Sequence, residues 1–229
     1  MTRTTLGIDL GGCMSGNSAY ALIEWDSRRA RVIKLFKEPR HKDHIRCLTF
    51  IKETLIRHEV DAISIDAPFS LPKALIDPAF KAPAREAQGE IANPYLFRYT
   101  DYWLYKCYGL RPMPPAGDRI GRLTARMIEL LHFFDYQAPL LDLSQRKTPV
   151  YEVYPKQIAL ALGYEKYKEK SRELLSKFGL DNLEDEHLLD AVLCSYCASE
   201  ILNNRTVFPP PEAQDEGWCY PLVTRENPL

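Results

Sequence analysis

No run of apolar residues in this sequence approaches membrane-spanning length, so no segment reads as a transmembrane helix. The opening Met1-Thr2-Arg3-Thr4-Thr5 passes straight into a strand-like segment, leaving no space for the apolar core of a secretory signal, and a cytoplasmic protein is expected. A surplus of either charge is also missing. Thirty basic against 31 acidic residues give a formal net charge of −1, which excludes no class of partner, because a polyanion needs only a local basic surface. A disulfide framework is absent: Cys13, Cys47, Cys107, Cys194, Cys197 and Cys219 are scattered. Cys194 and Cys197 form a C-x-x-C, but along a helical segment rather than at the strand-to-helix turn of a redox motif. No second pair completes a zinc site, so they read as core cysteines. There is no internal repeat or low-complexity tract. Hydrophobic content of 45% over 229 residues suits a globular chain with a sizeable core.

The pattern that is present alternates between strand and helix periods. Thr5 to Leu10, Ala19 to Trp25 and Arg31 to Phe36 read as strands joined by short connections, hence an antiparallel meander. Lys42 to His58 carries Ile45, Leu48, Ile51, Leu55 and Ile56 at helical spacing, and Ala62-Ile63-Ser64-Ile65-Asp66 is a fourth strand. Residues 67 to about 148, punctuated by prolines, break the rhythm and read as an insertion with short helices, a candidate lid. Within it Ile120, Leu123, Met127, Ile128 and Leu131 share one face and Arg119, Arg122 and Arg126 another. Val150 to Tyr154 is a fifth strand, with Pro155 opening a helix. Glu165 to Phe178 reads as a Lys-rich helix stopped by Gly179, and a final helix runs from the acidic turn Glu184-Asp185-Glu186 to about Leu202. The tail from about 204 to 229 is expected to be peripheral.

Against this apolar scaffold three carboxylates are out of place: Asp9 in the first strand, Asp66 at the end of the fourth, and Asp190 in the last helix. Charge is rarely buried unless it is paired or binds metal. Glu186 and His187, four and three residues before Asp190, project to roughly the same helix face. The set Asp9, Asp66, His187 and Asp190 therefore suits Mg²⁺ or Mn²⁺, the imidazole tilting the preference toward Mn²⁺. Metal-assisted hydrolysis of a phosphodiester is the matching reaction class. Each residue also has a structural reading: Asp9 beside Gly11 and Gly12 shapes a turn, Asp66 caps a strand end, and Glu186 and His187 cap a helix. Glu152 faces solvent, Arg98 and Asp101 form a salt bridge, and the three arginines make a solvated face.

The order of elements resembles the RNase H fold, which implies an α/β mixed sheet of a three-strand meander plus two parallel strands, flanked by helices, with an insertion after strand 4. The segment Glu186-His187-Leu188-Leu189-Asp190-Ala191 resembles the C-terminal helix motif of bacterial Holliday-junction resolvases, which implies His187 and Asp190 as metal ligands. Glu152-Val153-Tyr154-Pro155-Lys156-Gln157 is similar to their fifth-strand segment. Over residues 6 to about 202 the chain also resembles a domain-of-unknown-function family described as predicted RNase H-like nucleases. That likeness rests on Gly7-Ile8-Asp9, Ile65-Asp66-Ala67-Pro68, Arg98-Tyr99-Thr100-Asp101, Tyr151-Glu152-Val153-Tyr154-Pro155 and Asp190-Ala191-Val192-Leu193-Cys194.

These resemblances imply one RNase H-like domain over 1–229 and a nuclease acting on DNA or RNA. Its catalytic group would be Asp9, Asp66, Glu152, Glu186, His187 and Asp190, and its substrate contacts Arg98, Asp101, Arg119, Arg122, Arg126 and Lys156. Two other readings stay open. Gly7-Ile8-Asp9-Leu10-Gly11-Gly12 is similar to the opening of actin-like ATPases and sugar kinases, although those need a second copy of the fold. A non-catalytic nucleic-acid scaffold is the third.

Overall fold

The computed structural model describes residues 2–11, 17–26, 29–38, 45–86, 89–133, 148–180, 183–213 and 216–223. Gly12, Cys13, the expected helix start at 42–44, the Cys47 side chain, 134–147 of the expected insertion and the last six residues lie outside the described residues.

Five strands form one sheet: β1 (Arg3–Asp9), β2 (Ala19–Asp26), β3 (Arg29–Lys37), β4 (Ala62–Asp66) and β5 (Val150–Glu152). Their order across the sheet is β3-β2-β1-β4-β5. β1, β2 and β3 pair antiparallel, while β4 runs parallel to β1 and β5 parallel to β4. The apolar alternation decides what each face meets. Leu6, Ile8, Tyr20, Leu22, Ile63 and Ile65 turn to one side, under α1 (Ile45–Arg57) and α4 (Asp118–Phe133), where Ile51, Met127, Leu130 and Leu131 complete a core. Ala19, Ala21, Ile23 and Trp25 turn to the other side, against α5 (Pro155–Ala161), α6 (Ser171–Ser176) and α7 (Glu186–Leu202). Ile56, one of the apolar positions expected to pack, is instead 74% exposed at the end of α1.

The helix over the centre of the sheet is α7, and every residue from Leu189 to Ile201 is buried. It can lie low because the facing strand positions are small. A Cβ added at Gly7 would stand 2.0 Å from the Ala191 carbonyl oxygen and 2.2 Å from the Ser195 amide nitrogen, so backbone touches backbone there. Hydroxyls fasten the same seam: Thr5 Oγ1 donates to the Ser195 carbonyl at 2.7 Å, and Ser64 Oγ to the Cys194 carbonyl at 2.6 Å. The Trp25 indole donates to Ser195 Oγ at 3.0 Å. Cys194 and Cys197 are free and buried in this core.

The chain between β4 and β5 contains α2 (Lys73–Ile76), a 3-10 turn at Glu90–Ala92, α3 (Tyr99–Tyr108) and α4. Two expectations are corrected. Residues 165–170 form turns and only Ser171–Ser176 is helical, because Tyr167 is drawn inward and buried while its charged neighbours Lys166, Lys168, Glu169 and Lys170 stay in water. The end of the chain is not wholly peripheral. Trp218, Cys219, Tyr220 and Leu222 are buried, and Cys219 bridges in parallel to Glu152, covering the open edge of β5.

Candidate functional site

Strand period places the acids. Asp9 lies two residues beyond Gly7 and Asp66 two beyond Ser64, so both share the face on which α7 packs. They are also register partners across the parallel β1–β4 pair. Asp190 reaches the same place from the first turns of α7, whose start is fixed by Asp185: its carboxylate accepts from the His187 and Leu188 amides at 3.0 and 3.1 Å. Lys37 Nζ stands 2.5 Å from the other Asp185 oxygen. His187 Nδ1 meets Asp9 Oδ2 at 2.6 Å, joining helix to central strand.

Residues that sequence reasoning did not single out complete the group. Tyr167 donates to Asp190 Oδ1 at 2.9 Å. Lys168 Nζ lies 3.1 Å from Glu186 Oε2 and 3.5 Å from Asp190 Oδ2. Both belong to the turn before α6, and neither spacing nor periodicity relates them to a helix some twenty residues further on.

The electrostatics are unfavourable to so much negative charge. Burial, then the charges of Asp9, Asp190 and Glu152, push the Asp66 carboxyl well above its usual range. Burial raises Asp190 to about 6, with Lys168 and Tyr167 opposing and Asp9 adding to the rise. Asp9 is raised as well, by burial, against the lowering effect of its His187 hydrogen bond. Burial works against the Lys168 ammonium, but Asp190 and Glu186 outweigh it and hold its pKa above the ordinary lysine value.

Glu152 is placed in a second, adjoining cluster. The buried Arg98 guanidinium donates to both its oxygens, at 2.7 and 2.6 Å, and to both oxygens of Asp101 at 3.1 and 2.9 Å. The Phe69 amide adds a further bond to Glu152 at 2.9 Å. Arg98 is 1% exposed and binds both Asp101 and Glu152, so neither Arg98 nor Asp101 stands free of this triad. Gly217 lies over it, where a Cβ would come within 3.3 Å of Arg98 Nη1.

The arginines of α4 divide. Arg119 and Arg122 are exposed, whereas Arg126 is buried, bonded to the Gly11 carbonyl and Ser18 Oγ and paired with Glu38 at 3.6 Å. It joins the insertion to the ends of β1 and β2. Lys156 is exposed on α5. A cleft of about 160 Å³ opens between the insertion and the sheet, with Asp66, Arg98 and Glu152 beside Leu104, Met113 and Leu123. A larger cavity, about 930 Å³, lies near Asp26, Glu200 and Arg205 at the opposite end of α7. Asp9, Asp66 and Asp190 do not line it.

Among the described residues, no three His, Cys, Asp or Glu side chains stand as a group able to hold a metal ion. Asp9 is turned to His187, and Asp190 to Tyr167 and Lys168. The donors nonetheless fit a hard divalent cation in kind, since Asp9, Asp66 and Asp190 offer oxygens whose mutual repulsion such an ion would relieve.

No protein-family model matches the chain, and no curated protein matches it. Among solved structures the chain is similar to T. thermophilus RuvC in complex with Holliday junction substrate. That similarity is at 16% identity and a TM-score of 0.44, over 88% of this chain and 96% of the other. The topology itself defines the class: a meander and two parallel strands in the order β3-β2-β1-β4-β5, flanked by helices, is the RNase H-like arrangement. Among the described residues no helix is long and apolar enough to cross a membrane.

Proposed function

We propose that the protein is a divalent-metal-dependent nuclease that hydrolyses phosphodiester bonds of DNA or RNA. One observation carries this reading: the carboxylates of β1 and β4 are register partners, and a third on α7 is near enough that, after burial, the charges of Asp9 and Asp190 both help raise Asp66. Asp9, Asp66 and Asp190 would hold Mg²⁺ or Mn²⁺, with His187 and Glu186 at the edge. Bound there, the ion would stabilise charge on phosphoryl oxygens and lower the pKa of water. The chain's own groups supply the rest. The His187 ring, about two-fifths exposed, is oriented by Asp9 through Nδ1, which leaves Nε2 available to take up or return a proton at the site. Lys37 and Lys168 put ammonium groups on the rim, where a nucleic-acid backbone would pass. Glu152 is assigned to holding Arg98 and the Phe69 amide, setting the wall of the cleft beside Asp66.

An ATPase or sugar-kinase reading has less support, because the described residues form one five-stranded sheet without a second copy. The test sets purified wild type, Asp9→Asn and Asp190→Asn against single-stranded, duplex, hybrid and branched nucleic acids, with Mg²⁺, Mn²⁺ or chelator and an ATP-hydrolysis control. Metal-dependent cleavage by wild type alone is expected. ATP turnover without cleavage would support the phosphotransferase class, and neither activity a non-catalytic scaffold.

A further inference from the structure

We propose that Lys168 is a tethered counter-ion of the carboxylate cluster, holding Asp190 and Glu186 in the absence of a divalent cation and competing with that cation for them. The inference rests on the metal-dependent reading above and concerns the regulation of the same site.

Two consecutive residues of one turn take opposite oxygens of the same carboxylate. Tyr167 donates to Asp190 Oδ1 at 2.9 Å, and Lys168 Nζ lies 3.5 Å from Oδ2 while 3.1 Å from Glu186 Oε2. These contacts differ in what they permit. A phenol donating to a carboxylate is neutral and leaves that carboxylate free to ligate, as the hydrogen-bonded carboxylates of metal sites do. An ammonium uses the lone pairs that a cation would use, and it repels a cation brought to the same oxygens. Tyr167 therefore orients Asp190 in either state, and Lys168 must leave before the cation binds.

Lys168 is built to leave. Its side chain is 44% exposed, on a turn rather than inside a helix, so water can solvate the ammonium once it is released. One positive charge cannot neutralise Asp9, Asp66 and Asp190 together, whereas a divalent ion comes closer. The ammonium thus limits repulsion in the metal-free protein without closing the site to a stronger ligand. It also raises the cation concentration needed to occupy the carboxylates.

The test measures Mn²⁺ affinity calorimetrically for the full chain as wild type, Lys168→Gln, Lys168→Arg and Asp190→Asn, with melting temperatures with and without Mn²⁺. Lys168→Gln should bind Mn²⁺ about fivefold more tightly, the scale of losing a partly exposed ion pair, and Lys168→Arg should restore wild-type affinity. Without metal, Lys168→Gln should melt below wild type, and saturating Mn²⁺ should erase the difference. Unchanged or weaker affinity in Lys168→Gln, with Asp190→Asn still defective, overturns the counter-ion and leaves the metal reading standing. Equal binding by wild type and Asp190→Asn, or no saturable binding by any variant, instead removes the metal reading and this proposal with it. Saturable binding by Lys168→Gln but not by wild type supports the proposal in its strongest form.

Discussion

Glu152 and Asp101 on the one hand, and Asp9, Asp66 and Asp190 on the other, are all carboxylates largely withdrawn from water, yet among the described residues only the first pair meets a guanidinium. Arg98 reaches both oxygens of both partners, and burial that would lower its own pKa is outweighed by Asp101 and Glu152, which raise it well above the ordinary arginine value. The second group receives an imidazole, a phenol and a half-exposed ammonium, and its carboxyls are raised instead. Two acid clusters beside one sheet thus differ in how their charge is met: one fully buried guanidinium binds both carboxylates of the first, whereas in the second Asp9 and Asp190 have different partners, of which His187 and Lys168 are partly exposed. The guanidinium-bound cluster lines the wall of the cleft, and under the proposed function the other is the one that would take the cation.

The sharpest way to break this comparison is catalytic. Asp9→Asn and Asp190→Asn should abolish nucleic-acid cleavage while circular dichroism shows the fold intact. Glu152→Gln should retain most activity per folded molecule, and a folded but inactive Glu152→Gln would place Glu152 with the working acids. Next in size is stability. Arg98→Met leaves two buried carboxylates without their partner, and urea denaturation should show a loss of about 3 to 5 kcal/mol. The pH dependence is smaller. Asp190 has a folded pKa raised above its unfolded value, so ionising it opposes folding. The penalty is absent below about pH 4 and fully present above about pH 6, so metal-free wild type should lose stability across that window, by no more than about 3 kcal/mol. Asp190→Asn should make the profile shallower in equilibrium unfolding, Asp9 and Asp66 keeping the remainder. Smallest is Asp185→Ala, where loss of the α7 cap should cost about 1 kcal/mol and lower the melting temperature slightly.

Much of the sheet was legible because it is written in period two. The expected strands at 5–10, 19–25 and 31–36 differ from β1, β2 and β3 by one or two residues at their ends, where pairing rather than propensity decides. β4 has the expected bounds. β5 stops at Glu152, two residues early, as Tyr154 gives way to Pro155 and the helix it opens. Asp9, Asp66 and Asp190 were visible as charge where the pattern demanded apolar residues. The rest depends on contacts between segments far apart in the chain. Arg98 and Glu152 are 54 residues apart, and a sequence shows only that each is polar, not that they meet. Arg126 looked like its neighbours Arg119 and Arg122 because helical spacing does not reveal that the end of β1 lies against one of them. Tyr167 and Lys168 sat in a Lys-rich stretch whose composition favours helix, and only packing against α7 turns them toward Asp190.

Gly7 gives the site an asymmetry of tolerance. Because β1 and α7 touch through bare backbone, the strand bearing Asp9 and the helix bearing Asp190 cannot slide or separate independently. They form one fixed unit, and its spacing is set by a missing side chain. The cleft beside Asp66 is lined instead by Leu104 of α3, Leu123 of α4 and Met113 between them, side chains that can change rotamer. Under the proposed function, differences in substrate thickness would therefore be absorbed on the insertion side. New specificities would be expected to arise there, while the strand–helix seam passes unchanged from one variant to the next.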